Sequence, residues 1–153
     1  MKILNITSPD INNGLGCRVT LWISGCKHKC KGCHNQCAWD YNVGETFTDK
    51  TYKKLYDILS KDYIAGLTLS GGDPLDQSES VLTEILNLVI KVKHDFPNKN
   101  IWIYTGYKYE ELKGLQLEIL KYCDILVDGK FEINKRDTTL AFRGSSNQRI
   151  IKL

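Results

Sequence analysis

The feature that most constrains this chain is a run of three cysteines within eight residues, Cys26-Lys27-His28-Lys29-Cys30-Lys31-Gly32-Cys33. Any fold it adopts must present that loop so that the sulfurs can share one occupant. Thiolates at such density bind soft metals well. A four-iron cubane needs four ligands, so a loop that supplies three, Cys26, Cys30 and Cys33, leaves one iron open to coordinate something else. Two blander readings remain open on the residues alone. Zinc could be held if His28 or His34 completed a tetrahedral site, although the spacing lacks paired C-x2-C knuckles. Cys37 could close the fourth corner and make a saturated, ferredoxin-like electron carrier. Cys17 and Cys123 lie outside the run and read as small buried hydrophobes without a site role.

The rest of the composition narrows the class. A length of 153 residues suits a single domain spanning 1–153 and is short for a complete eight-stranded barrel. The 42% hydrophobic and 25% charged content is that of a globular protein. The net charge of +3 is scattered, with no basic stripe for a phosphate backbone, so nucleic-acid binding is not expected. Met1-Lys2-Ile3-Leu4-Asn5 turns polar too early for a signal core, and no apolar run is long enough to cross a bilayer. A cytoplasmic, reducing home is therefore expected, with no membrane association. There, six clustered cysteines point to metal or redox chemistry rather than disulfides.

The periodicity supplies a framework for the loop. Val19-Thr20-Leu21-Trp22-Ile23 reads as a buried strand ending at Ser24-Gly25, directly before Cys26. Thr48 or Asp49 can cap a helix with Tyr52, Leu55, Tyr56 and Leu59 on one face. Leu67-Thr68-Leu69-Ser70 is a second strand, stopped by Gly71-Gly72-Asp73-Pro74. A helix from Ser78, with Val81, Leu82, Ile85, Leu86, Val89 and Val92, must stop before Pro97. Ile101 to Thr105 is a third strand closed by Gly106. Leu112, Leu115, Ile119 and Leu120 suggest a helix weakened at Gly114, before a strand at Ile125-Leu126-Val127 and a turn at Asp128-Gly129. Arg149-Ile150-Ile151 is either a last strand or a cover over the open edge. Alternating strands and helices imply an α/β fold with mostly parallel strands and function at their carboxyl ends.

On these residues the chain resembles the radical S-adenosylmethionine enzymes: a C-x3-C-x2-C loop followed by Gly71-Gly72-Asp73-Pro74. More narrowly, it is similar to the activating enzymes of anaerobic (class III) ribonucleoside-triphosphate reductase along almost its whole length. Asn13-Gly14-Leu15-Gly16-Cys17-Arg18 resembles that family's N-G-P-G-x-R segment, with leucine in place of proline. Cys26 to Asn35 resembles its C-x-x-x-C-x-G-C-Y-N stretch, with His34 in place of tyrosine. Leu69 to Leu75, Trp102 to Tyr107, Val127 to Phe131 and Arg143 to Gln148 also match.

The resemblance implies an incomplete β/α barrel in which Cys26, Cys30 and Cys33 hold a [4Fe-4S] cluster, with S-adenosylmethionine chelated on the fourth iron. Gly32, Cys33, His34, Gly71, Gly72, Asp73, Thr105, Asp128 and Lys130 would surround that cofactor, Lys130 pairing with its carboxylate. On this reading a bulky residue at Gly72 should weaken cofactor binding and spare the iron. The implied activity is reductive cleavage of S-adenosylmethionine, with the resulting 5'-deoxyadenosyl radical taking hydrogen from a glycine of the large reductase subunit. The implied electron source is a reduced flavodoxin-like or other donor. The activase of pyruvate formate-lyase shares this logic, but that family is normally longer and lacks the Arg143 to Gln148 pattern.

Overall fold

The computed structural model describes residues 1–153. In chain order the elements are β1 (Lys2–Asp10), β2 (Arg18–Ile23), β3 (Glu45–Thr46), α1 (Asp49–Leu59), β4 (Gly66–Gly71), α2 (Glu79–Asp95), β5 (Asn100–Tyr104), α3 (Leu115–Leu120), β6 (Ile125–Asp128) and β7 (Arg149–Lys152). The strands form one seven-stranded sheet in the order β3-β1-β2-β4-β5-β6-β7. Its centre, β2-β4-β5-β6, is parallel. Antiparallel strands complete both sides, β1 and β3 on one and β7 on the other. The fold is thus mixed α/β with an open sheet.

All four strands of the parallel centre fall where the periodicity puts them. β1 was not anticipated, for a physical reason: its register against β2 slips between Ile3 and Asn5 and again between Thr7 and Asp10. Each slip breaks the two-residue alternation by which a strand is recognised. The tail does both things expected of it, since β7 is a last strand and also covers the β6 edge from Asp128↔Arg149 to Ile125↔Lys152.

The helix limits follow their caps. Thr48 precedes α1 and exchanges a capping-box pair with Thr51. The Ser78 hydroxyl accepts the Val81 N–H at the start of α2, and Lys93 and His94 in its last turn suit the helix dipole. α3 is six residues long and starts only after Gly114, whose weak propensity cuts it off from Leu112, a residue the periodicity puts in the same helix but which lies before it.

The central strands have two chemically different faces. Val19, Leu21, Ile23, Leu67, Leu69, Ile101, Ile103 and Leu126 join Leu55 and Leu59 of α1, Ile85, Val89 and Val92 of α2, and Ile119 of α3 in one core. Burying each such side chain contributes roughly 1.5–3 kcal/mol, so this face holds the frame together. The alternate positions, Arg18, Thr20, Thr68, Trp102 and Tyr104, therefore point to the opposite side. Arg18 is fully buried there, donating to Thr68 Oγ1 at 2.7 Å, Leu67 O at 2.7 Å and Asn100 Oδ1 at 2.6 Å. Burial lowers its pKa to about 10, still high enough to keep the charge. One layer of helices covers the first face, and the polar second face is left to be roofed by loops.

Candidate functional site

The loops that leave the carboxyl ends of β2, β4, β5 and β6 converge on a cavity of about 520 Å³. Its wall contains Cys26, His28, Cys30, Cys33 and His34 from the first loop, Gly71 and Gly72 from the second, Thr105 and Gly106 from the third, and Gly129 from the fourth. Leu140 to Gly144 cross it from the chain's last segment, and Ile11 to Asn13 close it from the β1–β2 loop.

Main-chain bonds fix the cysteine loop to this position. Gly72 N donates to Ile23 O at 2.7 Å and Asp73 N to Gly25 O at 2.8 Å. Gly25 N and Cys26 N in turn donate to Ala38 O and Trp39 O, at 2.8 and 3.1 Å. The Asn35 amide donates to Gly71 O at 2.9 Å, so both limbs of the loop are tied to the glycine pair. Gly71 has φ +117°, a left-handed conformation that disfavours any side chain. At Gly72 the obstacle is space, since a Cβ would press on the carbonyls of Gly25 and Ala38.

That geometry changes the expectation for Gly72. Even Gly72→Ala should push the Gly25 carbonyl away and, with it, the start of the cysteine loop. We expect lower iron content and a stability loss of about 1–3 kcal/mol, the usual cost of overpacking. Metal analysis of anaerobically reconstituted protein checks this; full iron with only cofactor binding impaired would show that the residue acts on the ligand alone.

Two buried carboxylates organise the loops. Asp73 Oδ2 accepts from Thr105 Oγ1 at 2.9 Å and Gly106 N at 2.8 Å, and lies 2.9 Å from His28 Nε2. Its Oδ1 accepts Leu75 N at 2.8 Å. Asp76 accepts the Lys27 N–H and the Tyr41 hydroxyl at 2.6 Å each and the Tyr107 hydroxyl at 2.9 Å, and pairs with Lys27 Nζ at 2.9 Å. Burial alone would raise the Asp76 pKa, but these hydrogen bonds outweigh it and bring it down to about 2. The loops after β2, β4 and β5 are thereby cross-linked behind the cavity.

All six cysteines are free thiols. Burial, followed by the Asp73 charge, pushes the Cys26 pKa up to about 11, against N–H groups of His28 and Lys29 that favour the thiolate. Burial also raises Cys30, opposed by the Phe131 N–H. Asn35 N reaches Cys33 Sγ at 3.4 Å. Main-chain donors aimed at the sulfurs suit thiolate ligands. No three His, Cys, Asp or Glu side chains converge on a single-ion point. A cubane takes one thiolate on each iron and does not require such convergence, so the donor set fits a cluster held by Cys26, Cys30 and Cys33. Cys37 is exposed, outside the wall, with its thiol 3.1 Å from Asn35 Oδ1. Cys123 is buried in the core and Cys17 packs against it.

Of the other residues singled out from the sequence, Asp73 lies behind the wall, and Gly32 stands at the exposed turn of the loop. Asp128 is buried and turned to Arg149, whose Nε donates to it at 2.9 Å, and to Tyr109 N at 2.7 Å. Lys130 is exposed; together with Asp128 it borders a separate depression. Sequence reading missed the Asp73 partners, the Asp76 hub and Arg143 in the wall. For Arg143 the matched segment Arg143 to Gln148 was a signal, but it named no role.

The family described as "4Fe-4S single cluster domain" matches residues 12–151. A protein of Enterobacteria phage T4, named anaerobic ribonucleoside-triphosphate reductase-activating protein, is 52% identical over 92% of this chain and 87% of its own. Proteins of the same name from Pasteurella multocida and Escherichia coli K12 are 46% and 43% identical, over 99% and 91% of this chain and 98% and 90% of theirs.

Proposed function

The chain belongs to the family of anaerobic ribonucleoside-triphosphate reductase-activating proteins, and on that premise we propose that it installs a glycyl radical on such a reductase. The observation that carries the reading is the convergence of Cys26, Cys30 and Cys33 with Gly71, Gly72, Thr105 and Gly106 on one cavity at the strand ends. In it the three thiolates hold a [4Fe-4S] cluster and the small residues leave room for S-adenosylmethionine. A cluster and S-adenosylmethionine held there would supply the one-electron chemistry by which an adenosyl radical takes a hydrogen atom from the reductase glycine.

The protein's own part is positional. Gly71 and Gly72 keep side chains out of the space beside the thiols, and Asp73 holds the Thr105-Gly106 main chain at a fixed distance from His28. The crossing segment at Leu140 to Gly144 limits water around a reactive species. We read the open sheet as an incomplete barrel, acting as a single domain over 1–153, whose unclosed side admits the reductase's glycine loop. A reduced flavodoxin-like protein or another donor would supply the electron, in the cytoplasm. No helix is long and apolar enough to cross a membrane.

The test is paramagnetic resonance. Reduced, reconstituted protein with S-adenosylmethionine should produce a glycyl doublet on an anaerobic ribonucleotide reductase and none on pyruvate formate-lyase. A doublet on the lyase alone would move the chain to another activase while keeping the radical chemistry.

A further inference from the structure

The cavity wall contains one permanently charged side chain, Arg143: no aspartate, glutamate or lysine lines it. Its guanidinium is only partly used. Nη1 donates to Gln148 O at 2.7 Å, while Nε is buried without a partner. No carboxylate pairs with it, although Arg149 nearby bridges Glu110 and Asp128. Nη2 makes no hydrogen bond either, so the guanidinium keeps unspent donors, the kind of group that pairs with a carboxylate.

The segment that bears Arg143 is built to hold it still. Gln148 Oε1 accepts the N–H groups of Gly144 and Ser145 at 2.9 and 3.2 Å, and its Nε2 donates to Gly129 O at 3.0 Å. On the other side, the Tyr104 hydroxyl donates to Phe142 O at 2.8 Å, and the Phe142 ring meets Trp102 edge-on at 5.3 Å. Arg143 is thus fixed between two anchors that reach the ends of β5 and β6. Lys130, by contrast, stands exposed beside Asp128 and Glu132 in the neighbouring depression.

We propose that Arg143, rather than Lys130, binds the carboxylate of the amino-acid portion of S-adenosylmethionine. This rests on the cofactor reading above. Apart from the cluster thiolates, Arg143 is the one permanently charged side chain of the wall; a cation fixed there recognises an anionic group on the ligand, and the carboxylate is the one anionic group S-adenosylmethionine has.

Binding of S-adenosylmethionine and of its decarboxylated analogue to the reconstituted protein, measured by equilibrium dialysis, separates the possibilities. Arg143→Gln should weaken S-adenosylmethionine by about tenfold or more, the effect of losing a charge-assisted hydrogen bond. The same change should alter binding of the decarboxylated analogue less than about twofold, because no carboxylate is there to lose. Arg143→Lys should recover part of the difference. Because cluster contacts are common to wild type and variant, iron content measured alongside should be unchanged. Equal losses for both ligands, or a carboxylate-selective loss in Lys130→Gln instead, would overturn the assignment. Wild-type protein that binds neither ligand would overturn the cofactor reading and this inference together. Normal wild-type binding with Arg143→Gln unaffected would overturn this inference alone.

Discussion

Cys26→Ala, Cys30→Ala and Cys33→Ala are each expected to abolish S-adenosylmethionine cleavage, whereas Cys37→Ala retains it. The three sulfurs line one cavity, and Cys37 lies outside its wall with its thiol turned to Asn35. Losing one of three thiolates leaves a second iron without a protein ligand, which a cubane tolerates poorly. Cys26 should be the most sensitive. It is nearly buried, directly follows Gly25, and sits where the loop is tied to Trp39 O and, through Lys27, to Asp76. Iron and sulfide content, together with release of 5'-deoxyadenosine under a strong reductant, are the measurements. Cleavage at the wild-type rate in any of the three, or its loss in Cys37→Ala, would redraw the ligand set.

The contrast between Cys37 and its three neighbours was visible in spacing, but the reason for it was not. Spacing counts residues, and what separates Cys37 is the turn at Gln36–Ala38, which carries its side chain outward. Elements were legible where local chemistry decides them: Thr48 and Ser78 as caps, Pro97 as a stop, and glycine at the ends of β4 and β5. β1 was hidden because its two register slips erase the alternation. The two-faced character of the sheet was written in Arg18-Val19-Thr20-Leu21-Trp22-Ile23, where every second residue is polar or aromatic. It reads as a uniformly buried strand because loops roof the polar face and bury Arg18 and Thr20 as fully as Val19.

The site itself was legible as a set of loops and illegible as a network. Asp73 was singled out by the resemblance of Gly71-Gly72-Asp73-Pro74 to a cofactor-lining loop, which says nothing of what its carboxylate binds. Its partners are 45, 32 and 33 residues away, and only the parallel order of β2, β4 and β5 brings them within reach. Asp76 draws on Lys27, Tyr41 and Tyr107 in the same way. Long-range hydrogen bonds leave no periodicity, so the groups that set loop geometry are the ones a linear reading omits.

Asp73→Ala tests that network with the second large effect. The carboxylate is 1% exposed and is surrounded by the Thr105 hydroxyl, the Gly106 and Leu75 N–H groups and His28 Nε2. Truncation leaves these groups in a space too dry to replace their acceptor, at about 1–3 kcal/mol for each donor left unpaired. Because they share one acceptor their costs do not add, and a total of roughly 3–5 kcal/mol is expected, the range for breaking a buried charged network. That is a large fraction of ordinary domain stability. Asp73→Asn keeps the shape but turns an N–H2 toward groups that are mostly donors, so it should fall between Ala and wild type. Thr105→Val removes one hydroxyl that has Asp73 as its acceptor and should cost only about 1 kcal/mol. Denaturant midpoints of the metal-free protein under anaerobic, reducing conditions give this order directly, without any contribution from the cluster. An Asp73→Ala midpoint equal to wild type would mean that the carboxylate does not brace the loops, and its place beside the cavity would then have to be explained by the ligand alone.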